Sequence, residues 1–224
     1  MIVAGLDVAF SNDYMALVVI EEGFDRKIRL VHLSTWRKFD WHQWKYDMKI
    51  KQTKFNIEKI YVDKTNNQSV VMELEYIGIP VEGISFSNTA KHDMIRNATK
   101  LMMTGELVMP DQELIILEKQ KQLARELFIE LSEQEYKHET VNPKLSHPTG
   151  RHDDLLWALC LALYGIKTNS PGESIVMGFD FDDYNKSDRN RNSILDNILS
   201  RIPSNVEITD ASIYFPNRNR IERL

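Results

Sequence analysis

A single cysteine, Cys160, among 224 residues rules out an internal disulfide, and without a CxxC pair there is nothing from which to build a thiolate zinc site. No run of about 18 apolar residues occurs, and the opening Met1-Ile2-Val3-Ala4-Gly5-Leu6-Asp7 lacks both a basic leader and a cleavable apolar stretch. Neither a membrane span nor a secretory signal is expected, and cytoplasmic residence follows as the default. No internal repeat is visible. What is there is ordinary in proportion: 42% apolar and 27% charged residues, enough to bury a core and too apolar for a disordered chain. At roughly 100 to 200 residues per domain, the length allows one large domain, or one domain with an appendage.

Acids outnumber bases, 33 to 28. The formal net charge is -5, which by itself argues against a nucleic-acid binder. It is also unevenly spread: from Arg26 to Lys59 ten Lys or Arg stand against three acids, a local +7 that leaves -12 for the rest. Trp36, Trp41, Trp44 and Tyr46 are interleaved with those cations. Two readings stand side by side. The stretch suits a nucleic-acid groove in which Lys45, Lys49 and Lys51 contact phosphates, and equally a solvated helix whose tryptophans pack inward.

Ile2 to Val8 and Ala16 to Ile20 are short apolar runs flanking the turn-like Ser11-Asn12-Asp13, the pattern of a β-hairpin, and the alternating stretch Arg29 to Trp36 adds a third antiparallel strand. Trp41 to Asn56, without Gly or Pro, reads as a polar helix. Lys59 to Asp63, Ser69 to Ile77 and Val81 to Ser85 make a βαβ unit. Met94, Ile95, Ala98, Leu101 and Met102 then recur at helical spacing, with Gly105 as a C-terminal stop. A further helix is expected from Pro110-Asp111 to about Ala124. Leu127, Ile129 and Leu131, alternating with Phe128 and Glu130, fit a strand there, with a helix left open. Asn142 to Gly150 reads as a loop, followed by a helix over Asp153 to Ile166. Beyond Asn169 the composition turns polar, with one amphipathic helix near Ile194 to Ile202. The expected division is an α/β domain over residues 1–168 and a C-terminal extension over 169–224.

Acids stand at the ends of these elements. Asp7 ends the first strand, Asp63 ends a strand of the βαβ unit, and Asp153-Asp154 open an apolar helix. In an open α/β sheet functional groups gather at the carboxyl ends of strands, which can bring Asp7 and Asp63 side by side with a helix N-terminus supplying a third carboxylate. Clustered carboxylates repel unless a cation neutralises them, and oxygen ligands suit Mg²⁺ or Mn²⁺ rather than zinc. Two such ions are the usual device for in-line phosphodiester hydrolysis. Each acid also has a plainer role: a turn residue for Asp7 or Asp63, a helix N-cap or first-turn acid for Asp153 or Asp154. Asp154 shares a face with Ala158, Ala162 and Gly165, small residues that permit close approach to a sheet, and is the preferred ligand of the pair. Asp153, on the face of Trp157, Cys160 and Tyr164, is left to cap the helix or to hold the second ion. His152 is positioned to orient a phosphate or a water, and Lys91, Arg96 and Lys100 to reach phosphates. Arg151 fits phosphate contact and ordinary surface charge equally well.

Taken in order, Gly5-Leu6-Asp7-Val8-Ala9, Asp13-Tyr14-Met15-Ala16-Leu17-Val18-Val19, Ile60-Tyr61-Val62-Asp63-Lys64-Thr65 and Gly150-Arg151-His152-Asp153-Asp154-Leu155-Leu156-Trp157-Ala158-Leu159 resemble the nuclease domain of viral large terminase subunits. Val81 to Pro110 follows the same pattern, so the resemblance runs from about Met1 to Gly165. It implies a ribonuclease H-like α/β fold: a mixed central sheet, antiparallel hairpin strands followed by parallel ones, flanked by helices. It also implies a metal-dependent endonuclease acting on double-stranded DNA during packaging, with Asp7, Asp63, Asp153 and Asp154 as catalytic ligands of two Mg²⁺ or Mn²⁺ ions. The partners implied are a separate packaging ATPase, a portal or a small terminase subunit, and the place is the host cytoplasm. Two departures stand out. Asn66-Asn67 replaces the glycine common shortly after the second acid, and no GxxxxGK[ST] phosphate loop occurs, so these residues carry no packaging motor. Two alternatives remain: a Holliday-junction resolvase-like nuclease of the same fold, and a non-catalytic DNA-binding or assembly module whose acids only end their elements.

Overall fold

Aliphatic and β-branched runs form the first three strands, β1 (Ile2–Asp7), β2 (Met15–Glu22) and β3 (Ile28–Trp36), an antiparallel meander in which Leu6 faces Leu17 and Val18 faces Leu33. The computed structural model describes residues 1–8, 14–37, 40–65, 67–109, 117–132, 135–137, 144–146 and 152–169. Helix α1 (Trp41–Lys54) starts where the Asp40 side chain accepts the Gln43 N–H, and it returns the chain so that β4 (Lys59–Asp63) lies parallel to β1. Helix α2 (Gln68–Tyr76) does the same for β5 (Val81–Ile84), parallel to β4. Helix α3 (Asn88–Met103) is capped by Ser87 on the Ala90 N–H and stops at Gly105, whose φ of +69° is the left-handed turn expected there. β6 (Leu107–Val108) joins β3 in parallel, and the six-stranded order is β5-β4-β1-β2-β3-β6.

One expectation is settled and one revised beyond this point. At Leu127 to Leu131, where strand and helix stood open, the structure is helical, part of α4 (Glu118–Ser132), because Leu123, Leu127 and Leu131 fall four apart on one buried face. The Asn142–Gly150 segment is not wholly loop, since β8 (Lys144–Ser146) pairs antiparallel with β7 (Glu135–Lys137). The last described element is α5 (Asp154–Asn169). The start at Pro110-Asp111, Arg151 and all of the extension except Asn169 lie outside the described residues.

Strand alternation sorts the interior into two cores. Val3, Ala16, Val18, Leu33 and Tyr61 pack toward α3, α4 and α5, while Ala4, Leu6, Leu17, Ile60 and Val62 pack with Trp44 and Met48 of α1 and Val70 and Leu74 of α2. Helix α5 comes closest to the sheet. A Cβ on Gly5 would collide with the Ala158 carbonyl and sit 2.6 Å from the Ala162 nitrogen, and Gly165 lies against the Tyr61 ring. The small-residue face of Ala158, Ala162 and Gly165 is thus the one that meets the sheet, as its spacing predicts. Among the described residues no helix is long and apolar enough to cross a membrane.

Candidate functional site

The register of β1 on β4 pairs Leu6 with Val62, so Asp7 and Asp63 end neighbouring parallel strands at one edge of the sheet. Parity then fixes the face: Asp7 follows Val3 and Gly5, and Asp63 follows Tyr61, all on the α5 side. The N-terminus of α5 arrives at the same edge. Asp63 is held by its own turn, its Oδ1 accepting the Thr65 N–H at 2.9 Å and the Thr65 hydroxyl at 2.7 Å, while Thr65 Oγ1 accepts the Phe86 N–H at 2.8 Å. The turn role read for this residue is thus present in the structure. Asp153 ends its side chain on the Trp157 indole, Oδ2 accepting Nε1–H at 2.8 Å.

Burial, and after it the negative charges of Asp153 and Asp63, push the Asp7 carboxyl up to about 7, while Lys91 and the Val8 N–H act in the opposite sense. The carboxylates of Asp153 and Asp63 thus act on Asp7, where a cation would be favoured. Lys91 supplies part of one. Its ammonium sits 4.8 Å from the Trp157 ring centre and 5.3 Å from that of Phe86, two aromatic faces that hold it at this end of the sheet. Among the described residues no three His, Cys, Asp or Glu side chains already enclose an ion-sized space. The donor set itself is all oxygen and strongly anionic, which fits a hard divalent cation such as Mg²⁺ or Mn²⁺.

Asp154 is buried. It lines a groove of about 390 Å³ with Tyr14, Thr35, Lys119, Gln122, Glu130 and His152. His152 Nδ1 lies 3.6 Å from Asp154 Oδ2, and the Tyr14 ring stands edge-on to the imidazole. Arg37 donates to the Tyr14 hydroxyl at 3.1 Å. Glu130, from α4, is buried and accepts the Leu156 N–H at 2.8 Å, and burial raises its carboxyl to about 9. Asp153 thus acts electrostatically on both Asp7 and Glu130, while Asp154 acts on Glu130 and lines the groove.

The α1 lysines already have protein partners. Lys45 binds Glu73 at 2.7 Å, Lys49 donates to the Gly78 carbonyl at 2.9 Å, and Lys51 pairs with Asp47 while lying over the Trp36 ring. The tryptophans turn inward, Trp44 fully buried and stacked on Trp41. Sequence reasoning passes over Glu130, because a strand pattern around it hides its place on the buried face of a helix. The available signal is an acid within the four-spaced stripe Leu123, Leu127 and Leu131. It also passes over Arg37 and Tyr14, whose pairing comes only from the β2–β3 register.

No curated protein matches the chain. Among solved structures, the large terminase nuclease from thermophilic phage G20c is 19% identical over 73% of this chain and 81% of that one, with a TM-score of 0.59. The same nuclease with bound magnesium matches over 80% of its length, again at 0.59. The large terminase nuclease domain of Thermus phage P74-26 is 20% identical over 72% of this chain and 77% of that one, at 0.57. The HK97 bacteriophage large terminase is 15% identical over 73% of this chain, which spans 39% of it, at 0.54. These likenesses concern the fold, a mixed sheet in which an antiparallel hairpin precedes parallel strands. The family described as the Terminase RNaseH-like domain matches residues 4–164, and with that span covering most of the chain the protein belongs to this family.

Proposed function

We propose that the chain is a metal-dependent endonuclease that cuts double-stranded DNA, as in viral genome packaging, using Mg²⁺ or Mn²⁺, two ions per site. The observation that carries this reading is the β1–β4 register, which ends Asp7 and Asp63 side by side on the face against which α5 packs. An anionic oxygen cluster half-shielded from water is unfavourable by itself and becomes favourable around a divalent cation. Bound ions would supply activation of the attacking water and neutralisation of charge at the scissile phosphate. Asp7 would be the shared ligand, with Asp63 and the Asp153-Asp154 pair completing the set. Lys91 would face the phosphate, with His152, which lines the groove, to orient it. The magnesium bound by the G20c nuclease supports the choice of cation. A packaging ATPase, a portal or a small terminase subunit is the class of partner that would bring DNA to such a site.

The test is nicking and linearisation of supercoiled plasmid by the purified protein with Mg²⁺, Mn²⁺ or EDTA, beside Asp63→Asn. Asparagine keeps the turn to Thr65 and removes the charge. Cleavage should need the metal and fall by more than about 100-fold in the variant, a loss beyond that of a supporting residue. A folded parent that cuts with neither metal, or a variant that cuts as the parent does, overturns the reading.

A further inference from the structure

Asp153 occupies the N-cap position of α5, its carbonyl accepting the Trp157 N–H at 3.0 Å. An Asp in that position ordinarily turns its side chain back onto the backbone N–H two or three residues on, one of the four donors a helix start leaves unmet. Here the Asp153 carboxylate accepts the Trp157 indole N–H, and the Leu156 N–H is met by Glu130 Oε2 at 2.8 Å, a residue 26 positions earlier in the chain. Glu130 is 8% exposed and stands in a stripe otherwise made of Leu123, Ala124, Leu127 and Leu131. Burying an acid there is costly, and apolar packing alone does not call for one. The other end of α4 is fastened to the sheet. The Gln120 side chain accepts the Leu33 N–H at 2.9 Å and donates to the Leu33 carbonyl at 2.7 Å. Gln120 and Glu130 are about 15 Å apart along the helix axis. Helix α4 is therefore a strut between β3 and the first turn of α5.

We propose that Glu130 is a positioning residue of the nuclease site: by capping α5 from outside, it relieves Asp153 of the capping role and keeps that carboxylate beside Asp7. The inference rests on the nuclease reading above. Without the outside acceptor, Asp153 turns onto the Leu156 N–H and leaves the cluster. Asp154, one residue on, keeps its place in the helix, so the damage is to the geometry of the site and not to the binding of DNA.

The full chain and its Glu130→Gln, Glu130→Asp and Glu130→Leu variants would be compared for kcat and KM in Mg²⁺-dependent plasmid cleavage. Mn²⁺ affinity without DNA would be read by electron paramagnetic resonance, at a temperature where each variant is folded. Gln keeps an acceptor oxygen at the same reach and should stay within about threefold of the parent, whereas Leu should lose about 10- to 100-fold in kcat and in Mn²⁺ affinity with KM unchanged. If Leu does not fold, Asp, one methylene too short, replaces it in the comparison and should show the same kind of loss. A folded Leu or Asp variant with parental kcat and Mn²⁺ affinity overturns the inference while leaving the nuclease reading intact, as does a Gln variant as damaged as Leu. A parent that cuts with no metal removes the nuclease reading, and this inference with it.

Discussion

Burial and two neighbouring carboxylates weigh on Asp7, and the consequences can be followed through pH. In the metal-free protein its carboxyl titrates at about 7, against an ordinary value near 3.8 in an unfolded chain. The folded state thus holds the proton more tightly, so the stability this group contributes is complete below about pH 3.8 and drains away as pH rises through 7. Asp7→Asn removes that loss. The metal-free variant is expected to melt a few degrees above the parent at pH 8, with the gap narrowing toward pH 5 in differential scanning calorimetry. Saturating Mg²⁺ should reverse the order at pH 8, because only the parent has a charge for the ion to hold. Affinity of the parent for Mn²⁺ should also fall by up to about tenfold per pH unit below 7, as one proton competes for the carboxylate. A gap of equal size at pH 5 and pH 8 would mean that Asp7 is not the group under strain.

At the scale of elements, the contact between β1 and α5 sets the position of the whole site. Gly5 has no Cβ because the backbone of α5 occupies that space, at the Ala158 carbonyl and the Ala162 nitrogen. Gly5→Ala must push the helix away, at a cost of about 1–3 kcal/mol in urea unfolding and with a fall in metal affinity, since Asp153 rides on the displaced end. Parental stability and metal affinity in that variant would show that α5 has slack the packing does not reveal. This contact also shows what the sequence makes legible. The runs of β1, β2 and β4 and the small face of α5 can be read directly from spacing, because strand and helix periods are local properties. The surroundings of the Asp153-Asp154 pair cannot, because they are set by contacts such as the Trp157 indole on Asp153 and Glu130, from another helix, on the Leu156 N–H. The strand pattern at Leu127 to Leu131 misleads for a related reason. Over five residues, alternation and a helical stripe can share the same apolar positions, and only the packing of α4 against β3 and α5 decides between them.

For the molecule as a whole, the question is which surface meets DNA, given a net charge of -5 and a basic stretch confined to one stripe of sequence. Composition points to α1, where Lys45, Lys49 and Lys51 are concentrated. Geometry points to the carboxyl edge of the sheet. The α1 lysines spend their charge on Glu73, the Gly78 carbonyl and Asp47, whereas Lys91 is mounted on Trp157 and Phe86 within electrostatic reach of Asp7. Each phosphate neutralised by a protein cation adds about 0.9 to the slope of log affinity against log salt. Binding measured with a short duplex in Ca²⁺, which supports docking while slowing hydrolysis, separates the two surfaces. Lys91→Gln is expected to lower the slope by about 0.9 and weaken binding at low salt, while the combined Lys45→Gln, Lys49→Gln and Lys51→Gln variant changes it by less than one such step. The reverse outcome, a slope reduced by two or three steps in the triple variant and unmoved by Lys91→Gln, would lay the duplex across α1. The acids at the sheet edge would then reach it only from the side, and a cut would require the DNA to bend over the Trp41 end of that helix.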